Sequence, residues 1–125
     1  MIDSTSAAEL MNDSVCKTEM AACLNDVADI CHRIALDHGF WQDSQNFGEK
    51  IALIHTELSE CLEAMRHGDG PDEHLPHHRN AEIELADAVI RIFDLAAHEH
   101  MDIGSAIIEK MRFNMSRPFK HGKQF

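Results

Sequence analysis

The chain of 125 residues contains no tyrosine, one tryptophan, three prolines and six glycines. This scarcity of proline and glycine excludes a collagen-like fibre and argues against a disordered chain. No apolar run approaches the roughly 18–20 residues that a membrane span needs. The first residues are acidic and polar and form no signal-peptide or transit-peptide pattern. We therefore expect neither export nor a membrane anchor.

Basic residues are also few. The chain has 11 Lys and Arg residues against 22 Asp and Glu residues, and its net charge is −11 with histidine neutral. Such a surface repels phosphate backbones and anionic lipid, so nucleic acid and membrane surfaces are not expected as partners. A small anionic substrate remains compatible with this charge, because a bound divalent cation reverses the local field.

The four cysteines form no C-x-x-C pair, so the sequence indicates neither a zinc site nor a thioredoxin-like motif. Cys16, Cys23 and Cys31 are separated by seven and eight residues, which is the spacing of a stripe along one helix. We interpret them as buried, reduced thiols of a cytoplasmic protein.

Helical periodicity is the dominant pattern of the chain, and no segment alternates like a strand or repeats at a fixed period. Caps and turn residues bound four predicted helices, over about residues 14–37, 49–67, 80–98 and 102–114. Short connections between them are typical of a four-helix arrangement. The sequence therefore predicts one all-α domain over residues 1–125, with a loose leader at 1–12 and a basic tail at 116–125.

The second predicted helix carries its acids on two different sides. At about 100° per residue its apolar side chains cluster within about 60° and form an expected core face, made of Ile51, Ile54, Leu58, Leu62 and Met65. Glu57 and Glu60 share the flank of that face, whereas Glu63 points to solvent. Like charges at this spacing repel by a few tenths of a kcal/mol, which raises the question of what they hold.

The third predicted helix is apolar over about half of its circumference, so we expect it at the centre of the fold. Its other side carries a polar stripe at steps of three and four: Glu84, Asp87, Arg91, Asp94 and His98. This stripe should face a cleft or another polar stripe. We interpret Arg91 as orienting Asp87 and Asp94.

The simplest packing sets Glu57 and Glu60 opposite Glu84 and Asp87. Four carboxylates at one place repel strongly unless a cation binds them. Hard oxygen ligands without Cys or His suit Mg²⁺ or Mn²⁺ better than zinc, and a di-iron bundle would need Glu-x-x-His motifs. On the residues alone, a solvated acidic face remains the alternative.

The ordered pair Glu57-x-x-Glu60 and Glu84-x-x-Asp87 resembles the ExxE…ExxD signature of the MazG-like nucleoside triphosphate pyrophosphohydrolases, in the all-α NTP pyrophosphatase superfamily. Three flanking stretches look like parts of MazG-like proteins: EKIALIHTELSECLEAMRHG, ELADAVIRIFDLA and EKMRFNMSRPFKHGK. The resemblance covers roughly residues 39–123. It implies a four-helix MazG-like bundle that assembles as a homodimer or a dimer of dimers, with sites built partly across the interface. Many members carry an acid where this chain has Thr56, so the number of metals and the general base stay open.

The resemblance also implies an activity, the Mg²⁺-dependent hydrolysis of nucleoside triphosphates, dNTPs in particular, to the monophosphate and pyrophosphate. The implied metal ligands are Glu57, Glu60, Glu84 and Asp87, with Mn²⁺ as a substitute ion. Water is expected to attack the α-phosphorus, with Glu57 or Glu60 as the catalytic base. The alternatives are a phosphoribosyl-ATP-type pyrophosphohydrolase and a helical regulatory or interaction module that lost catalysis.

Substrate contacts are predicted from two sources. Lys110 and Asn114 match the K-x-x-x-N of the MazG-like pattern, in which both approach the nucleotide. The other candidates are basic side chains for the phosphates, namely Lys50, Arg117 and Lys120. Trp41 could stack on the base, and Asn46 could form a hydrogen bond with the base or sugar. Each has a plainer alternative, such as a solvated lysine, a mobile tail or core packing of the tryptophan. Base and sugar preference stay open.

Overall fold

Every regular element that the structure describes is a helix. A computed structural model describes residues 6–43 and 46–124, and the all-α prediction is confirmed for this part of the chain. The elements are α1 (Ala7–Asn12), α2 (Ser14–Asp37), α3 (Phe47–Arg66), α4 (Asn80–His98), α5 (Ile103–Met115) and a short 3₁₀ turn (Phe119–Gly122). Residues 1–5 of the predicted leader, 44–45 of the aromatic segment and 125 of the tail lie outside the described residues.

Polar caps explain why the helices start where they do. Asp13 accepts hydrogen bonds from the first backbone N–H groups of α2, and Asp102 accepts from the Ser105 N–H of α5. Ser6 and Glu9 form a capping box, so the expected loose leader contains a short helix. The Met11 side chain of α1 is buried, which gives that helix an anchor on α2.

The long helices form a layer in the order α3, α4, α2 and α5, in which α4 packs mainly on α3 and α2, and α5 packs on α2. The core between them centres on Ala28, Cys31 and Phe93. At the start of α5 the helices approach very closely, because a side chain at Gly104 would meet the Ala21 carbonyl of α2. A layer of this kind positions α4 centrally, as its apolar sequence predicts.

The core face expected on α3 is mostly uncovered in the single chain. Only Ile54 of that face is buried, whereas its other four residues are 36–56% exposed. The layer order provides the reason, since no helix within residues 6–43 and 46–124 lies over this side of α3. A neighbouring stripe on α4 is exposed in the same way. We call the two stripes together the open face, and it consists of Ile51, Leu58, Leu62 and Met65 on α3 and Leu85, Val89 and Ile92 on α4.

The prediction that Cys16, Cys23 and Cys31 are buried is correct for Cys31 and wrong for Cys23, and Cys16 is half-buried. Cys31 is buried in the core and burial raises the pKa of its thiol, whereas Cys23 is exposed. The cysteines that the structure describes are all free thiols. Among the described residues no helix combines the length and apolar character that crossing a membrane requires.

Candidate metal centre

Three carboxylates from two antiparallel helices converge where α3 meets α4. Glu57 and Glu60 lie one turn apart on α3, and Glu84 lies in the first half of α4. One carboxylate oxygen from each lies within 4.8 Å of the other two. Glu57 is only 7% exposed, Glu84 is half-buried and Glu60 is exposed. The group therefore has one buried wall and one side open to solvent.

Burial and the neighbouring acids affect the ionisation of Glu84. Burial raises the pKa of Glu84, and the charges of Glu60 and Glu57 together with a hydrogen bond to Glu60 raise it further. A raised carboxyl pKa means that the folded site favours an added positive charge, here a proton. A divalent cation would relieve the same repulsion.

Asp87 lies beside this group rather than in it. It is half-buried one turn after Glu84, and burial and the Glu57 charge raise its pKa, while Arg91 opposes the shift. The geometry thus assembles three of the four predicted ligands and places the fourth next to Glu57. A ligand role for Asp87 stays a prediction.

Arg91 has a different partner from the one that its helix position suggests. Its Nε donates a hydrogen bond to Oε1 of Glu57, on the facing helix, over 2.5 Å. Asp94, which Arg91 is expected to orient, instead accepts from Trp41 Nε1 at 2.9 Å and lies 2.7 Å from His32 Nδ1. Spacing along one helix predicted the wrong pairing because it does not reveal the acid across the interface.

A pocket of about 410 Å³ adjoins the acids and is formed by α2, α3, α4 and the segment after α2. We call the three candidate ligands Glu57, Glu60 and Glu84 the metal group. Glu57 and Asp87 form the wall between the pocket and this group, and Lys50 and Arg91 add two cations. The rest of the wall is largely apolar and includes Cys31, Ile34, Phe40, Leu53 and Ile90. An apolar cavity with a few converging charged groups is typical of small-molecule sites.

Trp41 has a structural role in this arrangement and does not line the pocket. Its ring stacks on His98 with centroids 3.7 Å apart, and Lys50 Nζ lies 3.7 Å from the ring centroid. With its N–H bound to Asp94, the tryptophan joins the segment after α2 to α4. Sequence reasoning missed Asp94 as the centre of this cluster; the available signal was an acid in an otherwise apolar stretch of α4.

The two remaining candidates near α3, Asn46 and Lys50, each form a local hydrogen bond. The Asn46 side-chain oxygen caps α3 by accepting from the Glu49 N–H at 2.9 Å. Lys50 is 8% exposed and donates from Nζ to the Phe40 carbonyl at 3.3 Å. Burial lowers the pKa of Lys50. Of the two, Lys50 is the one that reaches the pocket.

The predicted contacts on α5 and the tail lie apart from the pocket within one chain. Lys110 Nζ lies 4.7 Å from the Phe113 ring centroid, and Arg117 is also near that ring. Lys120 lies over the exposed Phe119. Asn114 Oδ1 is buried without a hydrogen-bond partner among the described residues. Since α5 packs chiefly on α2, none of these four lines the pocket beside the acids.

Comparison of the chain with protein-family models, with curated proteins and with solved structures found no match. The resemblance to MazG-like proteins therefore rests on the motif and its flanks. The donor set itself fits Mg²⁺, because it consists of carboxylate oxygens alone, comes from two rigid helices and keeps an open side for water or substrate.

Proposed function

We propose that the protein is a Mg²⁺-dependent nucleoside triphosphate pyrophosphohydrolase that releases the monophosphate and pyrophosphate. The observation that carries the proposal is the convergence of Glu57, Glu60 and Glu84 within 4.8 Å, at the spacing of the ExxE…ExxD signature. The adjoining pocket supports it, since it offers an apolar wall for a base beside cationic groups for phosphate. Among these substrates, the resemblance favours deoxynucleotides.

The proposed roles of the side chains differ with their burial. Glu57, Glu60 and Glu84 would hold the ion, and Asp87 stands beside them as the fourth candidate ligand. Mg²⁺, when bound, supplies charge neutralisation for the triphosphate and lowers the pKa of the attacking water. Either Glu60 or Glu57 would accept the proton of that water, and the exposure of Glu60 favours Glu60 in this role. Lys50 would oppose the negative charge that develops on the leaving pyrophosphate.

A second copy of the chain would complete the site. Lys110 and Asn114 do not line the pocket of their own chain, whereas the resemblance assigns them to the nucleotide. The open face supports assembly, because exposed apolar stripes on two neighbouring helices are a common mark of a protein–protein contact. We propose a homodimer, or a dimer of dimers, in which α3 and α4 of two copies form a four-helix bundle and α5 approaches the partner's pocket.

Product analysis tests the proposed reaction. The protein is incubated with a panel of NTPs and dNTPs and Mg²⁺, and the products are separated. Monophosphate with pyrophosphate is the expected outcome, and EDTA should abolish it. Diphosphate with phosphate would contradict attack at the α-phosphorus, and the absence of any product with an intact fold would favour the non-catalytic module.

A pair of glutamate variants tests the metal group. Glu60→Gln should lower kcat at least about 100-fold, since it removes one ligand oxygen and the expected base. Glu63→Gln is the matched control, because Glu63 is an exposed acid on the same helix that pairs only with Arg66 and His67 among the described residues. Circular dichroism checks that both variants fold. Equal activity of the two variants would contradict the proposed ligand set.

A further inference from the structure

Glu57 already has a cationic partner in the folded chain. Its carboxylate side chain is 9% exposed, and Arg91 Nε reaches it across the α3–α4 interface. Among the described residues this is the one ion pair that Glu57 makes. The buried acid of the metal group is thus neutralised by a side chain of the same protein.

The contact with Arg91 has a physical cause in the surroundings of Glu57. A buried carboxylate loses hydration, and the loss is tolerable only with a close opposite charge. Glu60 and Glu84 add to the cost, because their oxygens lie within 4.8 Å of an oxygen of Glu57. Arg91 therefore offsets both the burial of Glu57 and its repulsion by its neighbours.

A divalent cation and Arg91 compete for the same carboxylate. Oε1 of Glu57 is the atom that Arg91 binds, and Mg²⁺ requires close contact with its ligand oxygens. A guanidinium held at that oxygen also repels an approaching cation at short range. Arg91 is 38% exposed on its side chain, so it has access to solvent when it leaves Glu57.

We infer that Arg91 is a tethered counter-ion of the metal site, which holds Glu57 and the α3–α4 pair together without metal and sets the metal affinity by competition. The inference rests on the proposed metal-dependent function and adds regulation of its site. Removal of the guanidinium should weaken the metal-free protein and strengthen its metal binding. A side chain that merely orients Glu57 would weaken both.

The experiment measures Mn²⁺ binding to the full chain by the loss of the free-ion EPR signal, together with thermal unfolding with and without the ion. Arg91→Met keeps an unbranched stem and removes the charge, and Arg91→Lys keeps a charge in case Arg91→Met does not fold. Arg66→Gln is the matched control, because it removes the same charge from an exposed pair with Glu63.

We expect Arg91→Met to bind Mn²⁺ about tenfold more tightly than the wild type, a difference of about 1.4 kcal/mol. Its melting temperature should fall without metal and rise more than that of the wild type when Mn²⁺ is added. Arg91→Lys should lie between the two, and Arg66→Gln should change the affinity less than about twofold, as exposed pairs contribute little.

Two contrary outcomes are distinguishable. Wild-type binding and hydrolysis, combined with equal or weaker Mn²⁺ binding in folded Arg91→Met or Arg91→Lys, would overturn the inference about Arg91 and leave the proposed function standing. No Mn²⁺ binding by the wild type, with Glu60→Gln indistinguishable from it, would overturn both.

Discussion

At the scale of single residues, Asp69 illustrates how the loop before α4 starts that helix. The residue before α4 is Arg79, whose side chain has no acceptor for the helix N–H groups. Asp69 supplies one from the end of α3, since its Oδ1 accepts from the Ala81 N–H at 2.8 Å. Its carboxylate also lies 3.2 Å from Arg79 Nη1. The start of α4, which carries Glu84, is therefore fixed by a cap that is distant in sequence.

Asp69→Ala should lower the free energy of unfolding by about 1–2 kcal/mol, the usual cost of a lost helix cap. The backbone of Asp69 has a φ of 46°, which asparagine tolerates better than alanine. Asp69→Asn keeps the acceptor oxygen and is the control, with a smaller loss. Urea unfolding measures both, and an alanine variant as stable as the asparagine variant would contradict the capping role.

Glu84 and Asp87 predict a pH-dependent stability. Their pKa values are raised above the ordinary 4.5 and 3.8, first by burial and then by neighbouring acids. An acid with a raised folded pKa binds more protons when folded, so its favourable contribution is complete below the ordinary value and disappears as the pH rises through the raised pKa. At neutral pH the two carboxylates therefore destabilise the metal-free fold.

The double variant Glu84→Gln/Asp87→Asn should thus melt at a higher temperature than the wild type at pH 7 without metal. This difference should vanish as the pH is lowered below about 3, under the ordinary pKa values of both acids, where both acids of the wild type are protonated in either state. Thermal unfolding over this pH range measures it. A difference in melting temperature that grows on acidification would contradict the raised pKa values of Glu84 and Asp87. Added Mg²⁺ at pH 7 should raise the melting temperature of the wild type and leave that of the double variant unchanged.

At the scale of helices, the close contact between α2 and α5 requires a glycine at position 104. A Cβ at Gly104 would lie 2.1 Å from the Ala21 carbonyl oxygen. The Gly104 N–H also donates to Asn25 Oδ1 at 2.8 Å, and the Asn25 amide donates to Asp102 Oδ1. Asn25 on α2 therefore forms hydrogen bonds with both the cap residue and the first turn of α5.

Gly104→Ala should lower the free energy of unfolding by about 2–3 kcal/mol, because either helix has to move away from the added methyl group. Gly70→Ala is the matched control, since no atom lies within 4 Å of a Cβ built there and its φ is not positive. We expect the control to change stability by less than about 1 kcal/mol. Equal losses in urea unfolding would contradict the close approach.

The elements that sequence reasoning located well are those with long periodic patterns and clear ends. The bounds of α2 and α4 agree with the predicted residues 14–37 and 80–98, because a long periodic pattern runs through each of these helices. The six-residue α1 escaped prediction, since one turn and a half carries too little periodicity. The acids of the metal group were predictable because spacing along a helix fixes their side. The Arg91 pairing was not, because it depends on how two helices face each other.

At the scale of the whole molecule, the open face explains why an apolar stripe was mistaken for a covered core. Periodicity shows which side of a helix avoids water, and it does not show whether the covering element belongs to the same chain. Leu58, Leu62 and Met65 are 44–56% exposed here, and Leu85 and Val89 continue the apolar surface on α4. Exposed apolar area contributes to stability only when it is buried from water. A second copy of the chain offers a matching apolar surface by symmetry.

If the proposed assembly forms, Leu62→Lys combined with Val89→Lys should convert it into a folded monomer. Two charges on the open face would be buried without partners in the dimer, at a cost of several kcal/mol, whereas they are hydrated in the monomer. Size-exclusion chromatography with light scattering measures the mass, with two or four chains expected for the wild type. Val15→Lys is the control, because Val15 is an exposed apolar residue of α2 outside the open face.

The proposed hydrolysis should be lost together with the proposed dimer, although Glu57, Glu60 and Glu84 remain in place within each chain. Lys110 and Asn114 on α5 would then have no partner pocket to approach, since they do not line the pocket of their own chain. Metal binding, measured by Mn²⁺ EPR, should persist in the monomeric variant because all three acids belong to one chain. A monomer that hydrolyses dNTPs at the wild-type rate would show that the site is complete within one copy.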